Sequence, residues 1–247
     1  MRTVSCLAAL LTLASSALAV QTAFWRPYTT DQYTYALMHF DADNPTRAEG
    51  KCGAGETVGQ VAFEPNGKFG GAARLDGQGA IKFLPTELFP GGRLSIEAWV
   101  KLTRYPEKEA CVVFKPALVD ASPQYDPKVD RAHGFALMVD SKGALHFQVT
   151  NTFYGYTIRT SSPPGVVPLN QWVHLAGGSG GLGSYRRVYL NGRELAAIAV
   201  EWGQGLWGEE KEATPIYVGN NDKGTAGVSG LIDEVRLHTA ILKLWEP

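Results

Sequence analysis

The stretch that decides the fold is Leu94-Ser95-Ile96-Glu97-Ala98-Trp99-Val100-Lys101-Leu102. Every even-numbered residue in it is apolar, and every odd-numbered residue except Trp99 is polar. Because strand side chains point alternately to opposite faces, this period of two predicts a strand with one buried face. The same alternation recurs over residues 145–150 and again over residues 196–200. The chain is therefore expected to contain several half-buried strands.

Turn signals separate these strands. The dipeptides that tolerate positive φ are Asn66-Gly67, Asp76-Gly77, Lys142-Gly143 and Asn191-Gly192. The last of them predicts a hairpin between residues 187–190 and 194–197. No long segment of the mature chain has apolar residues at helical spacing, and no linker or repeat divides it. The sequence predicts an all-β fold in one domain.

The N-terminus has the pattern of a secretory signal peptide. Arg2 precedes an apolar stretch from Val4 to Leu18, which ends in Ala17-Leu18-Ala19. The stretch is shorter than the roughly 20 residues that a membrane-spanning helix needs. We expect cleavage after Ala19, which gives a signal peptide over 1–19 and a β domain over 20–247. The mature protein would then be secreted, periplasmic or at the cell surface, with no transmembrane segment.

The net charge bears on which partners the protein can bind, and the cysteine content bears on whether it forms a disulfide. The formal net charge is -1 and there is no run of Lys and Arg, which argues against nucleic acid as a partner. Loss of Cys6 with the signal peptide leaves Cys52 and Cys111. An even pair in an exported chain predicts a disulfide, which would stabilise the fold by roughly 4 kcal/mol in the chain-entropy model.

A series of motifs resembles the laminin-G-like jelly roll of the concanavalin A-like lectin/glucanase superfamily. It runs in family order over nearly the whole mature chain, through Phe69-Gly70-Gly71-Ala72-Ala73-Arg74-Leu75-Asp76-Gly77, the 94–101 strand, Trp172-Val173-His174-Leu175-Ala176, Val188-Tyr189-Leu190-Asn191-Gly192, Ile216-Tyr217-Val218-Gly219-Asn220 and Gly230-Leu231-Ile232-Asp233-Glu234-Val235-Arg236-Leu237. The resemblance implies a two-sheet antiparallel jelly-roll sandwich. The family includes lectins, carbohydrate-binding modules, adhesion domains and glycan-cleaving enzymes, so the fold alone does not select a function.

Two sequence patterns bear on catalysis. Residues 177–181 match the G-x-S-x-G of a hydrolase nucleophile elbow, but that motif requires a following helix, and the residues after Ser184 have a strand pattern. The E-x-D-x-x-E motif of the jelly-roll glucanases, which supplies two carboxylates, is absent. We assign no catalytic residue, and an enzyme that cleaves glycans is the alternative to a binding protein.

Aromatic residues in segments that depart from the family pattern are the candidate ligand site. Trp202 and Trp207 lie in a glycine-rich stretch, and Tyr154 and Tyr156 alternate in another. Their faces can stack on sugar rings, or they can pack over the rim of the sheets. The expected function is that of a lectin-like protein that binds a glycan or an extracellular protein; a structural adhesion module is a further alternative.

Asp41 and Asp233 are the candidate metal ligands. Strict alternation along the last strand places Asp233 on its apolar side, where a carboxylate needs a partner. In the jelly rolls that this chain resembles, a structural calcium often joins the first and last strands through acidic and main-chain oxygens. The sequence predicts one such calcium ion. The alternative is that Asp233 accepts hydrogen bonds from loop N–H groups or pairs with Arg74.

Overall fold

A computed structural model describes residues 26–118, 134–150, 157–180, 185–200, 210 and 212–241. Within these residues there is no helix, which confirms the all-β prediction. The strands are β1 (Thr34–Met38), β2 (Glu49–Gly50), β3 (Glu56–Val58), β4 (Val61–Glu64), β5 (Ala72–Asp76), β6 (Ala80–Phe83), β7 (Leu94–Leu102), β8 (Glu109–Lys115), β9 (Gly134–Asp140), β10 (Leu145–Thr150), β11 (Thr157–Ser161), β12 (Val173–Ser179), β13 (Tyr185–Leu190), β14 (Arg193–Ala199), β15 (Ile216–Val218) and β16 (Ser229–His238).

The strands form two antiparallel sheets, as the sequence predicted. One sheet has nine strands, with the path β14-β13-β12-β7-β16-β1-β2 and with β5 pairing β16 and β4 pairing β5. The other has seven strands in the order β11-β10-β9-β8-β15-β6-β3. The first and last strands of the chain, β1 and β16, lie side by side.

The core lies between the sheets and follows the predicted alternation. In β7 all five even-numbered side chains, Leu94, Ile96, Ala98, Val100 and Leu102, belong to the core cluster. From the opposite sheet, Leu145, Phe147 and Val149 of β10 pack into the same cluster. The period of two in each strand therefore fixed which face is buried.

The last strand departs from strict alternation. A bulge shifts the register between Asp233 and Arg236, and Glu234 has a φ of 51°. As a result Ile232 and Val235 both enter the core. Strict alternation predicted Asp233 on the apolar, core-facing side of the strand. That prediction was wrong, because the bulge adds a residue to β16 and so changes which of its side chains face the core.

The bulge marks a fork in the nine-stranded sheet. Before it, residues 229–232 of β16 pair with β5, and after it residues 235–238 pair with β1. The loop 65–71, which connects β4 to β5, lies at this fork beside the end of β1. The fork therefore brings together three parts of the chain that are remote in sequence.

The Asn191-Gly192 hairpin is confirmed. Both residues have positive φ, 46° and 83°, and they join β13 to β14. The serine of the G-x-S-x-G sequence, Ser179, ends strand β12, and the next element in the described part of the chain is the strand β13. The motif is therefore not a strand-to-helix elbow.

The predicted disulfide is not present in the structure, where Cys52 and Cys111 are buried free thiols. Cys52 pairs with Pro85 just past the end of β6. Strand β15 pairs with both β6 and β8, and this register aligns Val113 with Ile81. Cys111, near the start of β8, is therefore level with Gly79, just before the start of β6. At about 3.3 Å per residue the two positions are about 20 Å apart along the strand direction, whereas a disulfide needs Cα atoms within about 7 Å.

Candidate functional site

Asp41 and Asp233, the predicted metal ligands, both contact the 65–71 loop at the fork. Asp233 Oδ2 accepts hydrogen bonds from the N–H groups of Lys68 (2.7 Å) and Phe69 (2.9 Å). Asp41 Oδ1 accepts one from Gly71 N–H at 2.7 Å. Each carboxylate therefore binds backbone N–H groups of the 65–71 loop. For Asp233 this agrees with the predicted alternative that it accepts hydrogen bonds from loop N–H groups. Arg74 pairs with Glu64 at 2.8 Å.

The second oxygen of Asp233 has different surroundings. Oδ1 is buried and accepts no hydrogen bond within the described residues. Burial raises the pKa of Asp233 to about 7, although the N–H groups of Phe69 and Lys68 oppose that rise. A Cβ atom at Gly67 would lie 2.8 Å from Asp233 Oδ2 and 2.0 Å from the carbonyl oxygen of Gly71, so the loop approaches too closely for any side chain there.

These features fit a hard cation with oxygen ligands. An orphaned carboxylate oxygen and a tight glycine-lined loop are suitable for calcium, which takes six to eight oxygens. Within the ranges that the structure describes, no three acidic, histidine or cysteine side chains converge as metal ligands. Asp233 and Asp41 would therefore supply only part of the shell, and main-chain carbonyls and water would supply the rest.

A buried ionic cluster lies on the outer face of the nine-stranded sheet. Glu97 Oε1 accepts a hydrogen bond from Arg236 Nε at 2.6 Å, and Glu97 Oε2 lies 3.2 Å from His174 Nε2. Glu97 and His174 are fully buried. Burial raises the pKa of Glu97, but the hydrogen bond with His174 and the charge of Arg236 outweigh it and hold the pKa below its usual value.

The N-terminal segment 26–33 covers this cluster. The N–H of Tyr28 donates to Glu234 Oε2 at 2.6 Å, and the Tyr28 ring lies 4.3 Å from the Arg236 guanidinium carbon. His39 Nδ1 lies 2.6 Å from the other oxygen of Glu234, which raises the pKa of His39. Tyr28 also packs with Leu37 and Trp99 in a second apolar cluster. The alternation in β7 predicted a polar face there, but the covering segment carried no sequence signal for its position.

A serine, a histidine and an aspartate form a chain on the outer face of the seven-stranded sheet, and sequence reasoning missed it. Ser161 Oγ lies 2.8 Å from His146 Nδ1, and His146 Nε2 lies 3.2 Å from Asp140 Oδ2. The second contact lacks hydrogen-bond geometry. A hydrolytic triad needs both links and aligned donors for an oxyanion. The arrangement lacks the second of these links, and we assign no catalysis to it.

The predicted aromatic ligands Trp202, Trp207, Tyr154 and Tyr156 lie outside the described residues. The residues that flank their segments are described. Glu210 follows the tryptophan segment and is fully buried against Lys115, with 2.5 Å between Oε1 and Nζ. Glu210 Oε2 also accepts a hydrogen bond from Phe89 N–H at 3.1 Å.

The two antiparallel sheets, with a core between them and polar loops at the rims, define a lectin-type β-sandwich. The family model for the concanavalin A-like lectin/glucanases superfamily matches residues 75–244. The chain belongs to this superfamily, as the motif series indicated. No curated protein sequence matched the chain.

Solved structures share the fold. Domain 4 of AbnA, a GH43 extracellular arabinanase from Geobacillus stearothermophilus, in complex with arabinotriose, is 21% identical with a TM-score of 0.56, over 84% of this chain and 93% of that one. The binding domain of botulinum neurotoxin DC in complex with rat synaptotagmin II is 12% identical with a TM-score of 0.58, over 86% of this chain and 49% of that one. This chain thus spans about half of the toxin chain. At such identities the likeness shows the fold alone.

Proposed function

We propose that this chain is a secreted or cell-surface lectin-like protein that binds a glycan. The observation that carries the proposal is the position of described residues next to three stretches, 119–133, 151–156 and 201–209, the last two of which hold the candidate aromatic residues. Such flanking residues lie at one end of the seven-stranded sheet. Two structures of the same fold have ligands of the expected kinds, arabinotriose for the arabinanase domain and a protein, synaptotagmin II, for the toxin domain.

Pairing of the residues next to these stretches supports their attachment to one end of the sheet. Residues 119–133 follow the end of β8 and lead to Gly134, which pairs with Thr150. Residues 151–156 join Thr150 to Thr157, and these two residues also pair. Lys115, at the end of β8, binds Glu210, which follows residues 201–209. Tyr154 and Tyr156 therefore belong to a segment that joins two of these strand ends, and the segment of Trp202 and Trp207 returns to the same end of the sheet at Glu210.

A glycan array tests the proposal directly. The mature protein should bind a glycan, and the double substitution Trp202→Ala/Trp207→Ala should weaken that binding by about tenfold or more, because stacking on a sugar face is lost. Tyr33→Ala, at an aromatic that is 49% exposed elsewhere, is the matched control and should leave affinity unchanged. If the array is negative while an extracellular protein partner binds, the glycan proposal is wrong.

Export rests on the signal-peptide pattern. Residues 1–25 lie outside the described residues, and within the described ones no helix is long and apolar enough to cross a membrane. Mass spectrometry of the exported protein should find Gln21 preceded only by Val20, as cleavage after Ala19 requires. An intact N-terminus in the exported protein would contradict the proposal.

We also propose that a structural calcium ion binds at the fork, through Asp41 and Asp233. The support is Asp233 Oδ1, which is buried with no hydrogen bond from the described residues. Because a ligand that binds the folded state alone stabilises it, the melting temperature should rise with calcium concentration. Asp233→Asn should abolish that rise, and Asp43→Asn, at an exposed neighbour of Asp41, should not. Equal melting temperatures of the metal-stripped protein with and without millimolar calcium would refute the site.

A further inference from the structure

A polar cleft lies at the rim of the sandwich, where β5, β7 and β8 meet the start of β16. It consists of two adjoining depressions of about 540 and 500 Å³. Asp76, Arg104 and Ser229 line both of them, so the two depressions adjoin at these residues. Each volume lies within the range of about 300–1,000 Å³ that is usual for small-ligand sites.

Arg104 is held at the junction of the two depressions. Its Nε donates to Ser229 Oγ at 2.9 Å, and its Nη2 donates to the main-chain oxygen of Asp76 at 3.0 Å. Both acceptors are neutral, and the residue is exposed. A guanidinium has five N–H donors, so this anchoring fixes its plane and leaves donors for a ligand.

The backbone beneath Arg104 is built for close approach. Gly77 has a φ of 98°, and a Cβ atom there would lie 3.0 Å from Ser229 Oγ. A Cβ atom at Gly227 would lie 1.9 Å from the carbonyl oxygen of Gly77. Because the two turns touch through their backbones, the position of Arg104 is set by packed main chain.

The charges of the cleft nearly balance. The acidic residues that line it are Glu64, Asp76, Glu107 and Glu109, and the basic ones are Arg74, Lys101, Arg104 and Lys108. Glu64 and Arg74 pair with each other, and Glu109 pairs with Arg159, which does not line the cleft. Outside these two ion pairs the lining has two acidic and three basic side chains, a small excess that gives little net attraction to a polyanion but offers many donors and acceptors to hydroxyl groups.

We infer that this cleft is a second saccharide-binding site, which takes a neutral oligosaccharide across the two depressions, with Arg104 donating to sugar hydroxyls at their junction. The inference rests on the proposed glycan-binding function, but it concerns a different part of the fold. Glu109 begins β8 on the cleft side, and Lys115, which ends it, binds Glu210. The cleft is therefore separated from this ion pair by about 20 Å, the length of that strand.

The test uses neutral tetrasaccharides from arabinan, xylan and mannan as probes, with titration calorimetry on the mature protein. Arg104→Ala should lower the affinity of the bound probe by about 10- to 100-fold, because a hydrogen bond from a charged donor is lost. Lys108→Ala, which removes an exposed side chain, should lower it by roughly threefold or more and keeps the test valid if Arg104→Ala unfolds. Arg47→Ala, at an equally exposed arginine outside the cleft, should change nothing.

Salt dependence tests the ligand class. Affinity for a neutral sugar should change by less than about twofold between about 0.05 and 0.5 M sodium chloride, because screening acts on charge pairs. A steep loss with salt would overturn the neutral assignment. Full affinity in both cleft variants, with loss only in Trp202→Ala/Trp207→Ala, would overturn the cleft site and leave the proposed function standing. If no saccharide binds, the proposed function fails and the cleft site fails with it.

Discussion

Replacing Lys115 by methionine removes the lysine from an ion pair in which both side chains are almost completely buried, 0% and 1% exposed. Glu210 then loses the ammonium that lies 2.5 Å from its carboxylate. Removing one partner of a buried pair costs about 3–5 kcal/mol, because the remaining charge is desolvated. At about 2–4 °C per kcal/mol for a domain of this size, the melting temperature should fall by about 6–20 °C.

The double substitution Lys115→Met/Glu210→Leu separates charge from packing. Replacing both members by apolar residues of similar volume is often neutral or stabilising, so the double variant should be more stable than either single one. Urea denaturation of the four proteins gives the coupling free energy, which should be about 2 kcal/mol or more for groups in contact. A loss below about 1 kcal/mol in Lys115→Met, or additive single losses, would refute the assignment of a desolvated pair.

Three further predictions concern other parts of the fold. The pKa of Glu97 lies below its usual value, so the stability that it contributes is present above about pH 4.3 and is lost as pH falls through the lower folded-state pKa. Acid titration of unfolding free energy should therefore show a smaller slope in Glu97→Gln, and an unchanged slope would contradict this. Burial raises the pKa of both Cys52 and Cys111 to about 12, so neither thiol should react with an alkylating reagent at pH 8 until the protein unfolds. Two thiols should then titrate in the unfolded, unreduced protein, whereas none would show that the disulfide forms after all. Tyr28→Ala should cost about 3 kcal/mol in urea unfolding, since it uncovers the Glu97 cluster, and Thr29→Ala, at an exposed neighbour, should cost less than about 0.5 kcal/mol.

The sandwich could be predicted because alternation is a local property. The alternation over residues 94–102 and 145–150 predicted both the strands and their buried faces, and Asn191-Gly192 predicted a hairpin. The bulge at Asp233 could not be predicted in this way, because it arises where β16 changes its neighbour from β5 to β1. Such a change depends on pairing with residues more than 150 positions away.

The candidate sites were less predictable than the fold. Asp41 and Asp233 were predicted to act together, but nothing in the sequence indicated the role of the 65–71 loop, whose backbone N–H groups donate hydrogen bonds to both. Glu97 was expected on a polar face, yet it is buried, because residues 26–33 cross that face. The Arg104 cleft depends on three turns that meet only in the folded chain. The alternation of apolar residues and the amino-acid composition give no information about contacts between turns that are remote in sequence.

The pairing of β1 with β16 also limits when the nine-stranded sheet can form during folding. Thr34 and His238 are 204 positions apart, and β1 is buried along its whole length. Loop-closure entropy opposes these contacts, so a pairing of such high sequence separation slows folding. During synthesis β1 emerges long before β16, its partner strand. The nine-stranded sheet therefore closes only after residues 229–238 have been made.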